Sequence, residues 1–251
     1  MKFLIIGILW MLSLNTSNAQ NFKASYLQIL NLNNKPDTSK AVLLFNNSES
    51  LYSYGKTLNG NKFSSGPGEH DEEVNFNVKL SDAEGFLYYK KNKSKLFINR
   101  ELLFTKPVLI TDSIPEIVWV IDDSSTKKVG NLVCKKATGS FRGRTYHVWF
   151  TEDIPVATGP WKLGGLPGLI VDAEDTERQV SYTLLSIVQT IEVIKSPSEP
   201  AKMTEGEFVT AFKKKAKNLA RYLKSNTPAG GGFETKSTIK LNTLERSLFS
   251  D

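Results

Sequence analysis

The chain has 251 residues, of which 40% are hydrophobic and 23% are charged, proportions typical of a folded globular protein. Its formal net charge of +6 is modest, and the basic excess is scattered or confined to one late segment, which argues against a nucleic-acid partner. Cys134 is the single cysteine, so the chain cannot form an internal disulfide or a multi-thiolate metal site.

The first residues have the pattern of a signal peptide. Lys2 supplies a positive start, residues 3–14 form a short apolar run, and small residues at Ser17 and Ala19 precede Gln20. The run is shorter than the about 20 apolar residues that a permanent anchor needs. We predict a signal peptide over residues 1–19, no transmembrane span in the mature chain, and a periplasmic location, with secretion as the alternative.

Apolar and aromatic runs separated by turn residues predict strands through the first half of the mature chain. They cover residues 22–30, 41–45, 51–54, 85–91, 95–99, 101–105 and 108–111. The second and third of these runs, and the fourth and fifth, are expected to form hairpins, and Pro107 is expected to break the β pattern.

The long segment at residues 55–75 is predicted to be a surface loop. It carries a histidine beside three carboxylates at residues 70–73. Neighbouring residues on one loop seldom converge on one ion, so we interpret them as a solvated charge cluster and predict no metal site.

The middle of the chain continues the β pattern. Residues 117–121 form a continuous apolar run, which predicts a central strand buried on both faces. Residues 129–138 and 144–151 are expected to pair around a turn at Gly139 and Ser140. Residues 179–194 are expected to form a long strand that bends midway.

One helix is predicted late in the chain. Thr204 and Glu207 have the spacing of a capping box. An apolar face follows at helical spacing, formed by Phe208, Phe212, Leu219, Tyr222 and Leu223. The remaining faces are basic, with Lys213, Lys214, Lys217, Arg221 and Lys224. We interpret this segment as a surface helix packed on a sheet, and contact with anionic lipid or an acidic partner stays the alternative.

Together these elements predict an all-β or β-rich α+β fold. We expect a mostly antiparallel sheet, arranged as a sandwich or an open barrel, with one amphipathic helix in the C-terminal half. Since no repeat or low-complexity linker divides the chain, residues 20–251 are expected to form one domain.

The stretch at residues 159–170 is the most constrained in the chain, with four glycines, two prolines and a tryptophan in twelve positions. Pro167 and Gly168 have the order of a type II turn, in which glycine takes a positive φ. Gly164 and Gly165 would let another segment or a ligand approach the backbone closely. The stretch is not a phosphate loop, because it leads into a strand pattern and lacks the Gly-Lys-Ser/Thr ending.

Two interpretations of this stretch stay open. In one, it is a rigid corner between strands, held in the core by Trp161, Leu163 and Leu166. In the other, backbone amides and an aromatic ring form a binding pocket from Trp161, Gly164, Gly165, Leu166, Pro167 and Gly168. We favour the corner, because such Gly-Pro segments between strands serve architecture more often than ligand binding.

With these segments laid out, residues 131–175 resemble the central block of the GLPGLI family, named for the string at residues 165–170. Within this block the similar segments, in the family's order and spacing, are 134–138, 141–144, 149–151, 153–155 and 159–162. Upstream of it, residues 112–119 are similar to the segment that precedes the block in the family. The resemblance implies an exported, periplasmic, β-rich protein of a Gram-negative lineage, in a family of unknown function without assigned catalytic residues. It also implies an accessory role in uptake beside a TonB-dependent outer-membrane receptor, since such receptors are often encoded next to family members.

A cysteine hydrolase would need Cys134 beside His147. If residues 139–143 form the loop of the hairpin, residue 138 pairs with residue 144, and Cys134 lies across from Val148. Because side chains alternate, His147 then points to the opposite face. Cys134 is therefore expected to fill a core position as a small hydrophobe, with a reactive thiol as the alternative.

A hydrolase could instead use the carboxylates that follow the constrained stretch, Asp172, Glu174, Asp175 and Glu177. They are more simply the polar side of a strand that ends in a turn. No Gly-x-Ser-x-Gly or His-Glu-x-x-His signature occurs. We predict a non-enzymatic binding or accessory protein without a cofactor, and keep a hydrolase that uses Cys134 or these carboxylates as the alternative.

Overall fold

The computed structural model describes residues 20–32, 36–57, 86–91, 96–103, 106–198 and 201–225. The predicted signal peptide and the charged segment at residues 70–73 lie outside these residues. Within the described part, no helix is both long and apolar enough to cross a membrane.

The described residues form twelve strands and one helix. The strands are β1 (Asn21–Leu30), β2 (Asp37–Phe45), β3 (Glu49–Thr57), β4 (Phe86–Lys91), β5 (Leu96–Leu103), β6 (Lys106–Ser113), β7 (Trp119–Val129), β8 (Leu132–Phe141), β9 (Arg144–Thr151), β10 (Leu169–Asp175), β11 (Val180–Thr190) and β12 (Lys202–Thr204), and the helix is α1 (Glu205–Ser225).

All twelve strands belong to one sheet, in the order β12-β6-β5-β4-β3-β2-β1-β11-β10-β9-β8-β7. Neighbours run antiparallel except β12, which is parallel to β6. The β-rich, mostly antiparallel fold with one helix is therefore confirmed. The sheet is a single open one, which agrees with the open-barrel form of the prediction.

The early hairpins are confirmed, because β2 pairs with β3 and β4 pairs with β5. The turn between β2 and β3 is shorter than expected, since β3 already begins at Glu49. Asn46 explains this, because its Oδ1 accepts hydrogen bonds from the backbone N–H groups of Ser48 and Glu49.

The expected break at Pro107 is wrong. Pro107 is the second residue of β6 and lies opposite Leu102 of β5. On the other side of β6, pairing with β12 begins at Leu109, whose N–H donates to the Ala201 carbonyl at 2.9 Å. The strand tolerates Pro107, which has no N–H to donate, because this residue precedes the positions of β6 that pair with β12.

The predicted central strand at residues 117–121 is also wrong. β7 is the last strand of the sheet, and among the described strands only β8 pairs with it. Val118 and Val120 are exposed, whereas Trp119 between them is half-buried. The run is apolar on both faces, yet only one face meets the core.

The hairpin of β8 and β9 forms, but not around Gly139 and Ser140, which belong to β8. The turn is the pair Arg142 and Gly143, with φ of 50° and 77°. Two positive φ angles are the geometry of the type I′ turn that suits a two-residue hairpin. Phe141 therefore pairs with Arg144, and the expected pairing of residue 138 with residue 144 is wrong.

The long strand after the constrained stretch is confirmed as β11, and its pairing with β1 is irregular near the middle of both strands. The capping box of α1 is confirmed too. Glu207 Oε2 accepts from the Thr204 N–H at 2.7 Å, and the Glu207 N–H donates to Thr204 Oγ1 at 3.3 Å. Hydrogen bonds from Thr204 hold the pKa of Glu207 below its usual value.

The sheet is strongly curled. β6 and β9 are eight strand spacings apart in the sheet order, which would be roughly 38 Å in a flat sheet. Nevertheless, Asp112 of β6 lies 2.6 Å from Arg142 in the turn that precedes β9. Curling therefore brings the two halves of the sheet face to face around a shared core.

The main core is rich in tyrosine. Tyr26, Tyr52 and Tyr182 are fully buried, and Tyr52 packs edge-to-face against the other two rings. Two of these three hydroxyls donate hydrogen bonds, Tyr26 to the Ile170 carbonyl and Tyr52 to Gln28 Oε1, both at 2.7 Å. A smaller cluster forms where α1 packs on β5 and β6, and it contains Leu103, Val108, Ile110, Phe208 and Phe212.

Candidate functional site

The segment between β9 and β10, residues 152–168, folds back on itself, and we call it the corner. Thr158 and Gly164 form an isolated antiparallel bridge. The N–H of Ile170 donates to the Thr158 carbonyl at 3.0 Å, and Leu169 pairs with Thr151. The corner therefore locks the start of β10 against the end of β9, as the architectural interpretation predicts.

The glycines of the corner serve close packing more than turn geometry. The predicted type II turn at Pro167 and Gly168 is wrong, because Gly168 does not have a positive φ. A side chain at Gly168 would overlap the Thr151 carbonyl oxygen, and one at Gly164 would lie 2.9 Å from the Ala157 oxygen. Positive φ occurs instead at Gly165, with 91°, and at Trp161, with 54°.

Most residues of the predicted binding pocket are buried. Trp161, Gly164, Leu166 and Gly168 lie in the interior, and only Gly165 and Pro167 of the set are exposed. The Trp161 ring packs edge-to-face against Phe141 and Tyr88, with centroids 5.5 and 6.4 Å away. Four of the six residues thus pack inside the protein instead of lining a solvent-accessible pocket, which supports the architectural interpretation.

The corner also contacts the edge of the sheet. Trp119, the first residue of β7, donates from its Nε1 to the Gly164 carbonyl at 2.9 Å. Gly139 of β8 makes room for the ring, because a Cβ there would lie 2.6 Å from a Trp119 ring carbon. The constrained stretch thus fixes the position of the edge strand as well as that of β10.

A group of charges built around a buried pair, which we call the ion cluster, joins distant parts of the chain. Its members are Asp112, Arg142, Lys162 and Glu205. Asp112 accepts from Lys162 Nζ at 2.7 Å and from Arg142 Nη2 at 2.6 Å, and the side chains of Asp112 and Lys162 are each 1% exposed. Arg142 also donates to the Ser113 carbonyl, and its Nη1 lies 3.4 Å from Glu205 Oε2.

The ion cluster connects the end of β6, the turn before β9, the corner and the first residue of α1. Buried charges are costly unless each is paired and hydrogen-bonded, so a lone charge here would be strongly destabilising. No motif or residue spacing in the sequence predicts this site. The only signal was that Asp112, Arg142 and Lys162 all fall in segments that resemble the GLPGLI family.

The candidate carboxylates after the corner do not converge. Asp172 pairs with Lys127 at 2.7 Å, and Glu174 is exposed. Asp175 is buried against Arg144 at 2.6 Å and accepts from the N–H groups of two residues of the following turn and strand, Gln179 and Val180. Glu177 is exposed. Among the described residues, no three His, Cys, Asp or Glu side chains are grouped to hold a metal ion.

Cys134 and His147 do not form a dyad. His147 pairs with Thr138, and its Nδ1 lies 3.0 Å from Thr138 Oγ1. Thr138 is four residues along β8 from Cys134, a separation of about 13 Å in a strand. Cys134 is fully buried, and burial raises the pKa of its thiol. Raising this pKa lowers the thiolate fraction at neutral pH, which makes the thiol a poorer nucleophile.

Residues 142–172 match the model of a family described as a protein of unknown function (Porph_ging). The matched region begins at Arg142 of the ion cluster and contains β9, the whole corner and the start of β10. No curated protein matches the sequence.

Two crystal structures of PNGF-II have a similar fold. The form in space group C2 is 16% identical with a TM-score of 0.53, and the P21 form is 17% identical with a TM-score of 0.51. Each comparison covers 78% of this chain but only 33% and 34%, respectively, of PNGF-II. The chain thus spans about a third of the length of PNGF-II, and the likeness concerns the fold alone.

We predict that Gly168→Ala destabilises the protein by about 3 kcal/mol or more, because the new Cβ overlaps the backbone of β9. Gly206→Ala is the matched control, since a Cβ there meets nothing within 4 Å. It lies in the first turn of α1, where alanine should be neutral or stabilising by up to about 1 kcal/mol. Urea unfolding followed by tryptophan fluorescence measures both. Equal stability of the two variants would contradict the close-packing role.

We predict that Lys162→Met costs about 3–5 kcal/mol of unfolding free energy, because it removes a buried partner of Asp112. The double variant Lys162→Met/Asp112→Asn should lose less unfolding free energy than the two single variants lose together, since the two groups share one cluster. Lys23→Met is the control. It breaks an exposed pair with Glu192 and should cost less than about 1 kcal/mol. Urea unfolding of the four variants tests this, and a Lys162→Met cost no larger than the control's would contradict it.

Proposed function

We propose that this chain is a member of the GLPGLI family and acts as an exported, non-enzymatic binding protein of the cell envelope. Its partner is an envelope protein, with a TonB-dependent outer-membrane transporter as the first candidate. The observation that carries the binding function is the apolar, exposed edge of β7.

The edge of β7 has the features of an interaction surface. Val118, the residue before β7, is 80% exposed, Val120 is 71% exposed, and Ile121 is also exposed. Natural proteins usually protect a sheet edge with charges, prolines or a covering segment, because an open apolar edge promotes aggregation. An apolar stretch at residues 118–121 that the corner holds in place through Trp119 is better explained by a partner that covers it.

The arrangement of the candidate catalytic groups supports a non-enzymatic role. Cys134 is buried away from His147, with a raised pKa. Asp175 forms an ion pair with Arg144 and accepts hydrogen bonds from two backbone N–H groups, and Asp172 forms an ion pair with Lys127. A hydrolase would need a nucleophile and a base within hydrogen-bond reach of each other, and these residues do not supply that pair.

Export and the transporter partner rest on the sequence. The pattern of residues 1–19 supports export. The resemblance of residues 112–175 to the GLPGLI family supports a periplasmic location and an accessory role in uptake. The match of residues 142–172 to a family of unknown function is consistent with both and assigns neither.

We predict that Val120→Lys lowers recovery of an envelope partner at least about tenfold, since a buried charge in an apolar contact is strongly disfavoured. The partner would be captured by a photoreactive side chain at position 118 in intact cells and identified by mass spectrometry. Because Val120 is exposed, the unfolding free energy should change by less than about 0.5 kcal/mol.

Val188→Lys is the matched control, because Val188 is 55% exposed on β11, four strands from β7. It should leave capture unchanged. Two results would contradict the proposed function. One is that no envelope protein is captured by the unmodified sequence, and the other is that Val120→Lys and Val188→Lys capture it equally well.

A further inference from the structure

We infer that the partner binds β7 by strand addition, through an extended segment that alternates apolar side chains and carries a basic residue. The segment would pair with the outer edge of β7 at residues 119–122, on the side where the structure describes no other strand. This inference rests on the proposed function and specifies its binding mode and the chemistry of the partner.

The backbone of the edge selects an extended partner. β7 pairs with β8 on one side, and no other described strand occupies its second side. Its ladder with β8 is regular from Trp119 to Asp122, and the register then shifts before Thr126. Such an irregularity bends a strand, so the straight part before it is the part that can accept a new strand. Main-chain hydrogen bonds to that part require a β conformation in the partner.

The side chains of the edge select apolar residues in the partner. Trp119 points toward the corner and is fixed by its hydrogen bond to Gly164, so Val118 and Val120 must point to the outer face. A strand added at this edge places every second side chain beside these valines. Cross-strand pairs of β-branched or aromatic residues stabilise such contacts.

The charge at the end of the straight part selects a basic residue. Asp122 is exposed where the regular ladder ends, whereas Asp123 beside it already pairs with Lys135 of β8 at 3.4 Å. Hydrogen bonds from the side chains of Ser124 and Ser125 stabilise the ionised Asp122 carboxylate and lower its pKa to about 2. Glu116, three residues before the straight part, is exposed as well. A lysine or arginine in the added strand would complement the carboxylates of Asp122 and Glu116.

A second copy of the chain fits this edge less well. In a two-fold antiparallel pairing centred on Val120, the Asp122 carboxylate of one copy lies across from Val118 of the other. The basic residues of β7, Lys127 and Lys128, lie beyond the irregular region and cannot reach that position in the straight ladder. Charge complementarity therefore favours a basic segment of another protein.

Selection from a random library of ten-residue peptides, displayed on phage and panned against the full mature chain, tests the inference. We expect enriched sequences that alternate apolar residues and contain lysine or arginine, and that compete with the captured partner. In the tightest peptide, methylation of single backbone nitrogens should raise Kd at least about tenfold at every second position only, since alternate N–H groups face β7.

The charge contribution is tested by Asp122→Asn, with Glu174→Gln as the control, because Glu174 is an exposed carboxylate on β10. Asp122→Asn should raise the Kd of the peptide up to about fivefold at low salt and reduce its salt dependence. Glu174→Gln should leave both unchanged.

The outcomes separate the inference from the proposed function. If Val120→Lys abolishes partner capture but N-methylation of the peptide does not weaken binding at every second position, the proposed function stands and strand addition is wrong. Failure to enrich any peptide that competes with the partner also overturns strand addition. A concentration-dependent dimer that Val120→Lys abolishes, measured by sedimentation velocity, would assign the edge to a second copy and overturn the basic partner. If the unmodified chain captures no partner and binds no peptide, both proposals are overturned.

Discussion

The shared carboxylate of Asp112 is the interaction on which the form of this protein depends. It holds Lys162 of the corner and Arg142 of the turn before β9, although β6 and β9 are eight strand spacings apart in the sheet. The curled sheet is therefore closed by buried side-chain charges and by the corner that fills its interior, rather than by backbone pairing of its last strands. Such closure is sensitive to substitution, because removing either partner of a buried ion pair is strongly destabilising.

This form of closure has a consequence at the edge of the sheet. A barrel closed by hydrogen bonds would have no free strand, but here β8 is the only described strand that pairs with β7. The corner fixes that strand through Trp119 and Gly164, close to the position where Lys162 meets Asp112. One segment thus aligns β9 with β10, closes the curled sheet and orients its open edge, which explains why it is so constrained although much of it is buried.

Local features of the fold were predictable and long-range features were not. The capping box at Thr204 and the early hairpins are encoded by residues a few positions apart, so their patterns sufficed. An apolar run such as residues 117–121 looks alike in a central strand and in an exposed edge, because the position of a strand in the sheet depends on every other strand. Asp112 and Lys162 are 50 positions apart, and no spacing rule links them. Gly168 has a typical turn context, yet it is required by the approach of Thr151.

The most direct test of the account is hydrogen exchange of β7 in the variant Trp119→Phe. Phenylalanine keeps most of the ring packing and removes the donor to Gly164. A lost hydrogen bond is worth about 1 kcal/mol, so the amides of β7 that bond to β8 should exchange about fivefold faster, those of β1 and β2 should be unchanged, and partner capture should fall. Unchanged exchange in β7 with undiminished capture would contradict the claim that the corner orients the binding edge.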